Sequence, residues 1–91
     1  MDKKRNKLEI IHDILTVIKE KNGRIKPTHI LYKSNLSYIM MEQYLEDLIS
    51  KKLINEIKLK KGKTYEITAK GISYLSQYGV IKSFTESFGL D

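Results

Sequence analysis

LINEIKLKKGKTYEIT, residues 53–68, is the stretch on which the rest of the chain depends. Ile54, Glu56 and Lys58, then Thr64, Glu66 and Thr68, alternate against Ile57 and Leu59 and against Tyr65 and Ile67. A period of two is the mark of a half-buried strand pair. Between the runs sits Lys60-Lys61-Gly62-Lys63, where Gly62 can take the positive φ that a hairpin turn demands. With Lys58, the tip carries four lysines and no acid. A lone hairpin is marginal in water, so this one must lean on the segments around it. A basic hairpin held against a core presents cations to an anionic partner.

Before it lies a helix expected from about Ser37 to Lys52, with Ser37 as N-cap. Met41, Leu45 and Leu48 recur at helical spacing as its inward face, flanked by Tyr44 and Ile49. Tyr38, Ile39, Glu42, Gln43, Glu46 and Ser50 occupy the opposite side, and Lys51 and Lys52 suit the negative end of the helix dipole. Pro27 opens a shorter helix to about Lys33, with Ile30 and Leu31 as core contacts, and Ser34-Asn35-Leu36 breaks it. Two helices joined by so short a break make a helix-turn-helix. Arg24-Ile25-Lys26 reads as an extended connector, because the residue before proline is pushed toward β geometry.

A first helix is expected from about Lys4 to Lys21, with Gly23 as its left-handed cap. Leu8, Ile11, Leu15 and Ile18 form one apolar row; Ile10, Ile14 and Val17 form a second. A stripe this wide implies either deep burial in the same domain or a second row that faces another subunit.

After the hairpin, Thr68 can cap a fourth helix, with Ile72 and Leu75 expected to point to the core. A further set, Tyr74, Gln77, Ile81, Phe84 and Phe88, recurs at steps of three and four. This is an a/d seam in a helix leaving the domain, and it predicts a homodimer, the alternative being a helix that folds back on its own domain or frays after Gly79. Gly79 weakens that helix by about 1 kcal/mol or permits close backbone approach. The expected organisation is a helix-turn-helix and hairpin unit over residues 1–68 and a dimerisation helix over residues 69–91, in one compact body.

The 91 residues make one domain, and a 41% hydrophobic fraction supports a core. A net charge of +6, crowded at Lys3-Lys4-Arg5, Lys7 and the hairpin tip, favours an anionic partner. With no cysteine, disulfides and thiolate metal sites are excluded. No run approaches the roughly 20 apolar residues of a membrane span, and none reads as a signal peptide. The expected location is cytoplasmic. His12 and His29 have no accompanying ligand pattern, and no phosphate loop or nucleophile motif occurs, so no metal, cofactor or catalytic site is expected. Nothing points to a small-molecule effector.

Lys7-Leu8-Glu9-Ile10-Ile11, Ser34-Asn35-Leu36-Ser37-Tyr38 and Tyr65-Glu66-Ile67-Thr68-Ala69-Lys70-Gly71 are three landmarks. Through them the chain resembles the small archaeal winged-helix DNA-binding proteins found in Sulfolobus, which dimerise through a C-terminal antiparallel coiled coil. The resemblance runs from about Lys4 to Phe88. It implies an α+β, mostly helical fold: a winged helix-turn-helix of three helices and a β-hairpin wing, followed by a dimerisation helix. The implied function is duplex-DNA binding, as a transcriptional regulator or chromatin-associated protein. On this resemblance Ser37, Tyr38 and Gln43 face the major groove, while Lys60, Lys61 and Lys63, with Lys58, form the wing. Arg24, Lys26 and Lys33 are candidate phosphate contacts from position, and Lys3-Lys4-Arg5 is a candidate DNA-contacting arm or an ordinary solvated terminus.

The third helix departs from that pattern, with Glu42, Glu46 and Asp47 and no cation before Lys51. Acids beside phosphates repel, so affinity is expected to come mainly from lysine–phosphate contacts, with modest sequence preference. The competing reading is a winged-helix protein–protein interaction module, which an acidic third helix would suit.

Overall fold

A computed structural model describes residues 5–89, in the order α1 (Lys7–Glu20), α2 (Pro27–Ser34), α3 (Tyr38–Ser50), β1 (Ile54–Lys58), β2 (Lys63–Ile67), α4 (Ala69–Ser87). This is the winged helix-turn-helix arrangement expected. The helix starts follow local chemistry. Ser37 Oγ accepts from the Met40 amide, Thr68 Oγ1 accepts from the Gly71 amide, and Pro27 occupies the first turn of α2. In α1 the start differs from expectation. Asn6 and Glu9 form a capping box, so the helix begins at Lys7 rather than Lys4, which itself lies outside the described residues. The helix also stops at Glu20, and Gly23 takes its positive φ of 80° in the turn beyond.

Both apolar rows of α1 enter the same core: Ile10, Ile11, Ile14, Leu15 and Ile18 are all buried. The wide stripe is therefore intramolecular packing, except that Leu8 at its start is exposed. Ile30 of α2, Met41, Leu45 and Leu48 of α3, and Ile54, Tyr65 and Ile67 of the hairpin complete that core.

The hairpin register overturns the expected faces. Ile54 pairs with Ile67, Glu56 with Tyr65, Ile57 with Thr64 and Lys58 with Lys63. Directly paired residues share a face, so Ile54, Tyr65 and Ile67 turn inward together and Ile57 lies on the other side. Thr64 is buried nevertheless, and Leu59 is exposed. The α1–α2 connector adds support along the free edge of β2. Ile25 bridges to Tyr65, Gly23 N–H donates to the Tyr65 carbonyl at 2.9 Å, and Asn22 Oδ1 accepts from the Ile67 amide at 2.8 Å. Those bonds supply the anchorage that a two-stranded sheet lacks alone.

Where α4 meets the hairpin, glycine rather than Ile72 is the inward residue. Gly71 is buried and Ile72 is 45% exposed, while Leu75 packs partly against the core. A Cβ on Gly71 would collide with the Leu53 carbonyl oxygen and come within 2.6 Å of Ile67 Cγ1. Gly71→Ala is therefore expected to destabilise the domain by about 1–3 kcal/mol, the usual range for overpacking, because a backbone carbonyl cannot swing aside. Thermal unfolding should register it as a melting point about 4–8 °C lower per kcal/mol. An unchanged melting temperature would mean that α4 starts further from the hairpin. Gly79 has open space around its Cβ position, and α4 runs through it without interruption.

Candidate nucleic-acid interface

The helix-turn-helix turn is built residue by residue. Ser34 ends α2 in a buried position, and Asn35 adopts the left-handed conformation (φ 53°, ψ 53°) that asparagine tolerates. Leu36 N–H donates back to the Leu31 carbonyl, and Ser37 then caps α3. Arg5 clips this turn to α1. Its guanidinium pairs with Asp13 Oδ2 at 2.6 Å and donates to the Ser34 and Asn35 carbonyls at 2.8 and 3.2 Å. The partners lie 29 and 30 residues away, so no local pattern could have revealed them. Expected as a DNA contact, Arg5 is instead occupied in holding α1 to the turn that aims α3. Its neighbours in the basic run, Lys3 and Lys4, lie outside the described residues.

Residues at 100° intervals place Ile39, Gln43, Glu46 and Ser50 on the face of α3 opposite Met41, Leu45 and Leu48, and all four are exposed. Tyr38 sits at the helix start, 63% exposed. Hydrogen bonding to the Glu42 carboxylate, and its charge, raise the Tyr38 phenol above its ordinary pKa. Of the three acids, only Glu46 belongs to the outward face. Glu42 is half-buried on the flank, and its charge contributes to raising the pKa of Lys63 and Tyr65 on the hairpin. Asp47 pairs with Lys51 at 3.1 Å. The acidity that the sequence spreads along α3 is thus partly neutralised at its flanks.

On the hairpin, the Leu59 amide donates to the Gly62 carbonyl at 3.0 Å and closes a turn in which Gly62 has φ 89°. Lys58, Lys60 and Lys61 are exposed. Lys63 differs: it faces Glu56 Oε1 at 3.7 Å, and the nearby Tyr65 hydroxyl and Glu56 carboxylate raise its pKa, keeping it charged. Burial pushes the Tyr65 phenol up. Register sets Lys58 directly opposite Lys63, a like-charge pair that costs stability and that a bound anion would relieve.

The structure therefore gathers Tyr38 and Glu42 of α3 with Lys63, Glu56 and Tyr65 of the wing. Arg24, in the turn after α1, and Lys33, in the last turn of α2, are exposed on separate elements outside that cluster. Lys7 lines an open cleft of ≈ 350 Å³ with Met40, Gln43, Tyr44 and Asp47, a juxtaposition the sequence did not signal.

The seam of α4 divides in two. Tyr74 is half-buried and donates its hydroxyl to the Leu8 carbonyl at 3.0 Å, so it serves the domain's own α1–α4 contact. Tyr78 adds to that contact by stacking on His12, with ring centroids 4.4 Å apart. Burial, with Tyr78 nearby, raises the Tyr74 pKa. Beyond this point Gln77 is exposed, and Val80, Ile81, Phe84 and Phe88 are 69%, 61%, 62% and 65% exposed. Helix α4 spans 19 residues, about 28 Å at 1.5 Å per residue. The radius of gyration, 13.8 Å, exceeds the roughly 12 Å of a compact domain this long, as a projecting helix requires. No helix among the described residues is long and apolar enough to cross a membrane.

A sequence profile described as winged helix-turn-helix matches residues 4–86. No curated protein matches the chain by sequence. Among solved structures, the chain is similar to Sso10a-2, a DNA-binding protein from Sulfolobus solfataricus. The two are 25% identical with a TM-score of 0.81, over 92% of this chain and 85% of that one. It is also similar to AF1382 from Archaeoglobus fulgidus, at 18% identity and TM-score 0.69, over 89% and 91% of the two chains. MepR, a transcription regulator of the Staphylococcus aureus multidrug efflux pump MepA, aligns at 18% identity and TM-score 0.71, over 87% of this chain and 60% of that one. The last two share the fold. The first agrees with the Sulfolobus-type resemblance carried by the three sequence landmarks.

Proposed function

The chain belongs to the winged helix-turn-helix family, and on that premise we propose that it is a homodimeric duplex-DNA-binding protein, a transcriptional regulator or chromatin-associated protein held mainly by lysine–phosphate contacts. The family is one of DNA-binding regulators rather than enzymes. The observation that carries the reading is the wing tip. Lys58, Lys60 and Lys61 are exposed there, and Lys58 is held opposite Lys63, which has Glu56 beside it. The similarity to a Sulfolobus solfataricus DNA-binding protein at 25% identity supports it.

In this reading residues 1–68 dock on DNA and the helix over residues 69–91 joins two copies about a two-fold axis. Isologous pairing would set two half-sites roughly 34–36 Å apart, or a multiple of that spacing. The wing holds phosphates, α3 approaches the major groove from Ser37 onward, and the Arg5 clip keeps α3 at a constant angle to α1. Phosphate contacts position without specifying bases, so affinity should exceed selectivity. Association with the nucleoid would follow from such binding.

The test is affinity for random and defined duplexes across a salt series. Strong salt dependence is expected, with log affinity falling by about 0.9 for each phosphate contact per tenfold salt. The defined-to-random ratio separates a regulator from a packaging protein. A protein-interaction module remains the second reading because Glu46 stays on the outward face of α3. Absence of duplex binding at low salt would favour it.

A further inference from the structure

Helix α3 carries no arginine or lysine on its outward face, and Lys7 of α1 stands across the cleft that Gln43 lines. Arginine and lysine are the side chains that pair with guanine O6 and N7. None occurs between Tyr38 and Ser50. Two of the acids lie off this face: Glu42 is half-buried on the flank, and Asp47 pairs with Lys51 at 3.1 Å. What remains at the leading end of the face is Ile39, 69% exposed, and Gln43 one turn on. A β-branched residue loses χ1 freedom in a helix, so Ile39 contributes no helical advantage at this exposed position. Its apolar surface is unused in the isolated chain.

These two residues have defined counterparts in a major groove. A glutamine amide can both donate and accept, matching adenine N6 and N7, and an apolar side chain matches the thymine C5-methyl. Residues i and i+4 on a helix lie about 5–6 Å apart at Cβ, more than the 3.4 Å base-pair rise, so the pair would span neighbouring base pairs. We propose that Ile39 and Gln43 make α3 a reader of A·T pairs in the major groove, with thymine recognised through its methyl group. The inference rests on the DNA-binding reading above and adds base preference to it. The wing lysines supply the complementary charge that brings the duplex to this face. Glu46, which can only accept, faces the next position, where it can accept from cytosine N4 or adenine N6 and is repelled by the guanine O6 and N7 acceptors.

The experiment uses the full chain and three duplexes of equal length. One is A·T-rich, the second is the same sequence with deoxyuridine in place of thymidine, and the third is G·C-rich; each is measured across a salt series. Replacing thymidine by deoxyuridine removes only the methyl groups. Wild type is expected to bind the deoxyuridine duplex about three- to fivefold more weakly per contacted methyl. Ile39→Ala should bind both A·T duplexes equally with an unchanged salt slope. Gln43→Ala should reduce the preference over the G·C duplex and keep the thymine effect. Both positions are exposed and helical, and circular dichroism checks that the variants fold. Equal wild-type affinity for the thymine and deoxyuridine duplexes, with steep salt dependence intact, overturns the base reading and leaves DNA binding standing. A thymine effect that survives Ile39→Ala overturns the residue assignment. Absence of binding to all three duplexes at low salt overturns the DNA-binding reading itself.

Discussion

Phe84→Asp combined with Phe88→Asp is expected to convert a dimer into a monomer and to lower DNA affinity about 10²- to 10⁴-fold through loss of the second half-site. The two rings touch each other, with centroids 4.9 Å apart, and are otherwise 62% and 65% exposed beside Val80 and Ile81. Each phenylalanine buried in a partner contributes roughly 1.5–3 kcal/mol, so two per protomer can account for a stable pairing. Two aspartates per helix would remove that surface and set like charges against each other across a two-fold interface. Neither phenylalanine belongs to the buried core, so folding should be unchanged by circular dichroism and melting temperature. Sedimentation equilibrium decides the matter. A dimer that survives the substitution, or a wild-type chain that is already monomeric, would place the self-association surface elsewhere or remove it.

The wing carries the second large effect. Replacing Lys58, Lys60 and Lys61 with alanine should weaken duplex binding for all sequences alike and make the salt slope shallower by about two to three units. At moderate salt that corresponds to affinity lower by one to several decades, on the order of the phosphate-contact term itself. These three lysines are the exposed ones; Lys63 is set against Glu56 at 3.7 Å. Lys63→Ala alone should therefore change the slope less than Lys60→Ala. Its effect on stability should be small, because the loss of the Glu56 partner is offset by relief of the Lys58–Lys63 repulsion. A loss confined to one DNA sequence would assign base reading to the wing. An unchanged slope would make the tip a solvated turn.

Most of the fold was legible in the sequence because most of its punctuation is local. Ser37 and Thr68 each bond an amide three residues ahead, Pro27 enters its helix at a position that needs no N–H, and Gly62 supplies its own turn. Such devices require only the next few residues, so they read correctly without knowledge of the core. The lysine tip and the bare apolar end of α4 were equally visible, since charge and apolar spacing are properties of the string itself.

Tertiary structure decided what depends on a partner distant in sequence. A two-residue period says that faces alternate, but a slip of one position exchanges them; packing against α1 and α3 put Ile54 inward with Tyr65 and Ile67. Arg5 looks like one more terminal cation until the fold brings Asp13, Ser34 and Asn35 to it. Gly71 looks like a weak helical residue until the Leu53 carbonyl and Ile67 occupy the space of its missing Cβ. Three acids on α3 looked alike until the wing approached one and Lys51 took another. Local chemistry chose the elements of this protein; the close packing of those elements chose which side chains remain available to meet another molecule.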